Sequence, residues 1–292
     1  MTATIELRPR GPYNLRMTVG AVRDGTLRLH DDGAELVFAT VAGPAHARVA
    51  QRRDGTLSIA LDAPDAPCAL DRLRFLLAVD DDITPFLALA QRDSLLAGPV
   101  SRARGLRASR AGTFLHALVR ALAGQLVTFS EARRIERGIV FRAGRAHAGL
   151  MLSPERADLA RLSAAGVCAS GLAPRRAAAL VRISSLLDLE RLRTAEPDAV
   201  AARLLRERQL GPWSVGTFFL HGLGRYDRGL VGDLGLIKLC AALLGRRAEA
   251  EDTAKLLERY GEWAGLASLH LLRSAPAAVR QERAPRARTA SA

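Results

Sequence analysis

The chain has 292 residues, of which 49% are hydrophobic, and its 43 Lys and Arg exceed its 30 Asp and Glu to give a formal net charge of +13. This length and composition suffice for two domains with buried cores, and the charge favours a polyanionic partner. No run of about 18 apolar residues occurs and residues 1–10 lack the apolar centre of a signal peptide, which excludes a membrane protein and predicts a soluble, cytoplasmic one.

The three cysteines exclude two further classes of site. Cys68, Cys168 and Cys240 lie far apart in the sequence and form no cluster with histidine. This spacing favours neither a zinc site nor a disulfide framework, so we expect core thiols, no metal bound by side chains and no cofactor.

Residues 1–70 are predicted to form a small antiparallel β domain. Apolar and polar residues alternate there, and Asp-Gly pairs at Asp24, Asp32 and Asp54 are typical of hairpin turns. The clearest predicted strands are Thr26–Leu29, Glu35–Phe38 and Thr56–Leu61.

Residues 71–274 are predicted to be mainly helical, which makes the fold class α+β. Apolar residues recur at helical spacing, as at Leu73, Leu76 and Leu77 and again from Phe114 to Leu122. Residues 275–292 are rich in alanine, arginine and proline without apolar periodicity, and we expect a disordered basic tail. Such a tail either adds weak, salt-sensitive attraction to the polyanionic partner or has no role.

A helix, a short hairpin and a second helix are predicted around Leu210-Gly211-Pro212-Trp213. One apolar helical pattern ends at this turn and another begins at Val215. Glycine lets backbone N–H groups approach an anion closely, and the next helix adds its positive N-terminal end, so the turn is suited to phosphate. Asp233 follows as a lone acid among apolar residues and glycines.

These motifs resemble the helix-hairpin-helix, Gly/Pro, Asp superfamily of DNA glycosylases. The Gly124–Thr128 segment resembles a loop of that superfamily, and residues 75–86 resemble the linker of its bacterial DNA-3-methyladenine glycosylase II branch. The positions that match most specifically are Gly211, Trp213, Gly232, Asp233, Gly235 and Lys238.

The resemblance implies that Asp233 is the catalytic carboxylate. Cleavage of an N-glycosidic bond develops positive charge on the sugar, which a carboxylate stabilises while it orients or deprotonates water. The alternative is that Asp233 only caps the helix that starts at Leu234. The resemblance also places the apolar wedge that props open the DNA at Leu126, the alternative being a buried loop leucine.

The resemblance places the damaged base between Trp213 and Trp263, with Thr217 and Leu234 at pocket positions where a relative has tyrosines. Either tryptophan alternatively serves only in packing. Superfamily members that also cut the DNA backbone carry a lysine where Trp213 stands, so we expect no lyase activity.

The resemblance assigns contacts to the DNA backbone around the hairpin. Gln209 replaces the first glycine of the usual hairpin, where a left-handed backbone costs a side chain about 1 kcal/mol. A monovalent cation bound by backbone carbonyls of the hairpin is also expected. The predicted contacts to DNA phosphates are Arg208, Gln209, Leu210, Gly211 and Ser214.

The sequence therefore predicts a monofunctional glycosylase, acting as a monomer, that flips alkylated purines out of duplex DNA and excises them. Two alternatives remain open. One is a glycosylase for an oxidised or deaminated base. The other is a noncatalytic helix-hairpin-helix DNA-binding protein. Two departures from the family favour it, Gln209 in the hairpin and Ala264 where the family's last helix has an arginine, and the retained Asp233 opposes it.

Overall fold

A computed structural model describes residues 2–274 of the chain. The predicted basic tail, residues 275–292, lies outside the described residues.

The N-terminal region contains a five-stranded antiparallel sheet with strand order β1-β5-β4-β3-β2. The three predicted strands lie within or beside β2, β3 and β5, whereas β1 and β4 were not predicted. The β4 segment contains Pro44 and three alanines, and Val49 is the one β-branched residue among its nine, so it has few of the residues typical of strands. The strands are β1 Thr2–Leu7, β2 Leu27–Leu29, β3 Gly33–Thr40, β4 Gly43–Gln51 and β5 Leu57–Asp62.

Two helices, α1 (Leu15–Val19) and α2 (Ala66–Leu76), complete the core of this sheet. Alternate residues of β5 point into it, because successive side chains of a strand face opposite sides. Ala69 and Leu73 of α2 pack on these strand residues. The predicted domain boundary at residue 70 therefore falls inside a helix that packs on the sheet.

The rest of the described chain is helical apart from a small hairpin of β6 (Ala146–His147) and β7 (Leu150–Met151), which confirms the α+β class. Short 3₁₀ helices span Leu189–Thr194 and Gly261–Trp263, and a π-helix spans Phe219–Leu223. The α-helices are α3 Thr84–Gln91, α4 Ala97–Arg102, α5 Phe114–Ala123, α6 Phe129–Ala143, α7 Arg156–Ala160, α8 Ala164–Cys168, α9 Pro174–Leu186, α10 Pro197–Leu205, α11 Pro212–Phe218, α12 Leu234–Leu244, α13 Ala250–Glu258 and α14 Ala264–Ser274.

Helix α5 is the centre of the helical region, since every one of its residues is buried. It packs against α6, α9 and α11 and supplies much of one hydrophobic core. The predicted hairpin joins α10 to α11, and α12 begins directly after Asp233. None of the helices within residues 2–274 combines the length and apolar character that a membrane-spanning segment requires.

Candidate active site

A cavity of about 630 Å³ lies where the hairpin, the start of α12 and the end of α5 meet. Its volume is within the range of small-molecule sites. The cavity brings together most of the predicted site residues, which are Leu126, Gln209, Gly211, Trp213, Ser214, Thr217, Asp233 and Leu234.

Asp233 is held rigidly at this cavity. Gly232 before it has φ of +81°, a left-handed conformation that glycine adopts without strain, and its N–H donates to Thr253 Oγ1 at 2.8 Å. One carboxylate oxygen of Asp233 accepts from the Gly235 N–H at 2.7 Å, and the other accepts from Trp213 Nε1 at 3.0 Å. Asp233 therefore caps α12 and also lines the cavity.

Trp213 lies against the C-terminal end of α5. A Cβ atom built on Gly124 would be only 2.7 Å from Trp213 Cη2, so the indole packs directly on the Gly124 backbone. Thr217, one helical turn further along, donates its hydroxyl to the Trp213 carbonyl at 3.0 Å. Trp213 thus packs on a helix, orients the carboxylate and forms part of the cavity wall.

Leu126 lies on an exposed loop between α5 and α6. Its side chain is 68% exposed and its φ is +54°, a conformation that is uncommon for a residue with a side chain. The neighbouring Gln125 holds the loop, because its Nε2 donates to the Gln209 carbonyl at 2.7 Å and to Ser214 Oγ at 2.8 Å. The alternative of a buried loop leucine does not apply.

Within the hairpin, Gln209 has φ of +76°, which is the left-handed backbone expected at that position. Arg208 is exposed, whereas the side chains of Leu210 and Ser214 are buried. The Gln209 carbonyl already accepts a hydrogen bond from Gln125, and the monovalent cation expected at these carbonyls stays a prediction.

Replacing Gln209 by glycine is expected to raise the free energy of unfolding by about 1 kcal/mol, because glycine adopts a positive φ without the steric cost of a Cβ atom. Chemical denaturation measures this change. Gln209→Ala is the control, because it shortens the side chain but keeps the Cβ atom. An equal gain from both substitutions would contradict the assignment of the strain to the backbone.

Trp263 is not among the residues that line this cavity, and its predicted role beside the base stays a prediction. Its ring lies 5.9 Å from that of Tyr226 and 5.9 Å from that of Phe86, within the core that α3 and α14 share. The 3₁₀ turn before α14 brings Trp263 toward this core. The cavity wall from α14 is formed instead by Leu269, Leu272 and Arg273. These three residues recur at helical spacing in the sequence, which indicates that they share one face of α14.

A buried cluster of charges borders the cavity and was not predicted. Glu136 of α6 accepts from Arg120 Nε at 2.7 Å and from Arg133 Nη1 at 2.8 Å, and Arg120 also donates to Asp24 Oδ2 at 3.1 Å. His116 Nε2 lies 3.2 Å from Glu136 Oε1. His116 and Arg120 within the otherwise apolar helix α5 were the sequence signal for such a cluster.

Potential metal-ligating atoms of Asp24, His116 and Glu136 lie within 4.8 Å of one another. The Arg120 guanidinium donates to both carboxylates, however, and so supplies the positive charge that a metal ion would bring. This cluster fits a buried ion-pair network better than a metal site.

No protein-family model matches the sequence. The DNA-3-methyladenine glycosylase of Bacillus subtilis (strain 168) is 22% identical over 67% of this chain and 68% of its own length. The solved 3-methyladenine DNA-glycosylase of Archaeoglobus fulgidus superposes with a TM-score of 0.79 and 18% identity over 93% of this chain and 97% of that one. The solved 8-oxoguanine glycosylase/lyase of Clostridium acetobutylicum is bound to DNA containing 8-oxoguanine opposite cytosine. It superposes with a TM-score of 0.72 and 15% identity over 92% of this chain and 96% of that one.

The fold is therefore that of the helix-hairpin-helix, Gly/Pro, Asp DNA glycosylases, and the resemblance to that superfamily is confirmed. The similar proteins within it comprise enzymes named for 3-methyladenine and enzymes named for 8-oxoguanine.

Proposed function

We propose that this protein is a monofunctional DNA glycosylase that flips alkylated purines out of duplex DNA and excises them, which starts base-excision repair. The observation that carries the proposal is the fixed carboxylate of Asp233, which lines a cavity whose loop exposes Leu126. An acid, a space for a base and an exposed apolar side chain are the parts that base excision requires.

In the proposed mechanism, the Asp233 carboxylate stabilises the positive charge that develops on the deoxyribose as the glycosidic bond breaks. It also orients or deprotonates the water that attacks the sugar. The N–H groups of Trp213 and Gly235 hold the two carboxylate oxygens, so little reorganisation is needed in the transition state.

The distribution of lysines supports a monofunctional reaction. Schiff-base chemistry at the sugar needs a lysine amine close to the reacting carbon. The chain has two lysines, Lys238 and Lys255, and neither lines the cavity. The family resemblance implies that Trp213 stands at the position where bifunctional members have their lysine. The expected product is an abasic site in an intact strand.

Binding to duplex DNA is proposed to use the hairpin and the wedge loop together. The hairpin offers backbone N–H groups at the start of α11 to phosphate oxygens, and the exposed Arg208 adds a charged contact. The hydrogen bonds of Gln125 to Gln209 and Ser214 couple the two segments. We propose that the protein acts as a monomer, because a single lesion requires no two-fold symmetry.

The cavity wall supports alkylated purines as the substrate class. Its aromatic lining residues are Trp213, the exposed Phe129 and His221, and its other large residues are aliphatic, amide-bearing or charged, so stacking on the base is modest. Alkylation places positive charge on many purines and weakens their glycosidic bond, so a modest catalyst suffices. The likeness in fold to the 8-oxoguanine enzyme makes oxidised guanine the second candidate.

A panel of duplexes, each with one alkylated, oxidised or deaminated base, separates these candidates. We expect free alkylated purines to appear fastest. Release of 8-oxoguanine alone would favour the second candidate, and tight binding without release of any base would favour a noncatalytic protein.

Replacing Leu126 by alanine is expected to lower lesion release about tenfold, equivalent to about 1.4 kcal/mol. The shorter side chain fills less of the gap left by the flipped nucleotide, so fewer complexes hold the base in the cavity. Single-turnover release measures the effect. Leu186→Ala is the matched control, because Leu186 is 69% exposed but does not line the cavity. Equal effects of the two substitutions would exclude a wedge at Leu126.

A further inference from the structure

His221 occupies a specific position on the cavity wall. Trp213, Thr217 and His221 are spaced four residues apart along α11 and the π-helix that follows it, and all three line the cavity. Eight helical residues span about 12 Å. Because Trp213 contacts Asp233 at one end of this row, His221 lies at the other end, away from the acid.

The protonation state of the imidazole follows from its contacts. His221 Nδ1 lies 2.6 Å from the backbone carbonyl oxygen of Ser109, and because a carbonyl only accepts, Nδ1 carries the proton. Burial, together with the nearby charge of Arg120, lowers the pKa of His221 to about 3, so the ring is neutral at neutral pH. The other nitrogen, Nε2, is therefore a lone-pair acceptor.

The hydrogen bond of the ring that the structure describes within residues 2–274 is the one from Nδ1 to Ser109, and it leaves Nε2 without a described donor. The ring is part of the cavity wall, and the π-helix that carries it is a type of segment that occurs frequently at functional sites. An acceptor fixed in orientation by Ser109 is suited to recognise a donor on a bound ligand.

We propose that His221 Nε2 accepts a hydrogen bond from an N–H group on the flipped purine, at the edge farthest from the glycosidic bond. This inference rests on the proposed function, because it requires the base to enter the cavity with its sugar at Asp233. His221 then favours bases with a donor at that edge. Guanine-type bases offer N1–H and the 2-amino group, and adenine-type bases offer the 6-amino group.

A base that lacks this donor leaves the acceptor unpaired, and unpaired polar groups in a site are a strong source of discrimination. The lesion 1,N6-ethenoadenine has no N–H group on its ring system, whereas 7-methylguanine has two N–H donors, N1–H and the 2-amino group. These two alkylated purines are therefore the probes for His221.

The test measures single-turnover release of 7-methylguanine and 1,N6-ethenoadenine by the native protein, His221→Phe and His221→Gln. Phenylalanine removes the acceptor, while glutamine retains an N–H donor and an oxygen acceptor. We expect His221→Phe to lower the ratio of 7-methylguanine to ethenoadenine release about tenfold and His221→Gln to restore most of it. His270→Phe is the control, since His270 is a buried histidine that does not line the cavity.

If the ratio for His221→Phe lay within about twofold of the native ratio, the proposed role of His221 would be overturned and the proposed function would not. An equal fall for both lesions, without recovery in His221→Gln, would also overturn that role, since that result indicates that the bond to Ser109 only stabilises the fold. Failure of the native protein to release either base would instead overturn the proposed function, and the inference with it.

Discussion

Asp233→Asn is expected to lower the rate of base release at least about a hundredfold at equal DNA occupancy, equivalent to roughly 2.7 kcal/mol of transition-state stabilisation. The amide carries no negative charge with which to stabilise the sugar cation. Asparagine is as good an N-cap as aspartate, so the start of α12 is expected to remain intact. The substitution therefore separates the two roles of Asp233, capping and catalysis.

The measurement is single-turnover release of methylated bases, with DNA affinity and the thermal unfolding midpoint determined for the same proteins. Asp198→Asn is the matched control, because the Asp198 side chain is 90% exposed, pairs with Arg228 and lies away from the cavity. If Asp233→Asn retained more than about a tenth of native release, Asp233 would be a cap and another group would have to carry the chemistry.

Glu136→Gln is expected to lower the free energy of unfolding by about 3–5 kcal/mol, because removal of one partner leaves buried charges uncompensated. Glu136 binds Arg120 and Arg133, and Arg120 also binds Asp24 of the N-terminal region. The cluster therefore joins the sheet region to α5 and α6 beside the cavity. Denaturant unfolding measures the loss.

Glu131→Gln is the matched control for this prediction. Glu131 lies on the same helix, and its pair with Arg134 is largely exposed, so we expect a change below about 1 kcal/mol. Similar losses for the two substitutions would show that the buried cluster contributes no more than a surface ion pair.

The pH dependence of stability provides a second check on Glu136. Burial alone would raise the pKa of its carboxyl, but the charges of Arg120 and Arg133 hold this pKa well below its usual range. A lowered folded-state pKa contributes stability above the unfolded value of about 4.3, and this contribution is lost as pH falls further through the folded-state pKa. The difference between native protein and Glu136→Gln is therefore expected to shrink below about pH 4.

Short sequence motifs predicted the turns and helix caps, because these features depend on the conformational preferences of a few neighbouring residues. The turn at the glycine and proline of the hairpin and the cap at Asp233 each follow from backbone preferences of a few residues, whereas the exposed Leu126 was expected from the family resemblance alone. The positive φ of Gln209 was expected from the glycine that the resembling family has at this position of its hairpin. These positions form a site because the hairpin and α12 lie beside the end of α5.

The remaining parts depend on tertiary packing, which a local pattern does not reveal. Trp263 has the aromatic character of a pocket wall, but its ring packs in the core with Tyr226. His221 follows Thr217 at helical spacing, yet its role as an acceptor depends on the distant carbonyl of Ser109. Partners such as Asp24 and Glu136 are 112 residues apart in sequence and meet only in the folded protein.

The most direct test of the central proposal is product analysis after incubation of the native protein with methylated duplex DNA. Free bases are quantified by chromatography, strand breaks by denaturing electrophoresis, and covalent complexes by borohydride trapping. We expect free 3-methyladenine and 7-methylguanine, abasic sites in intact strands and no trapped complex. Tight DNA binding without free base, or a trapped complex with cleaved strands, would contradict a monofunctional alkylpurine glycosylase.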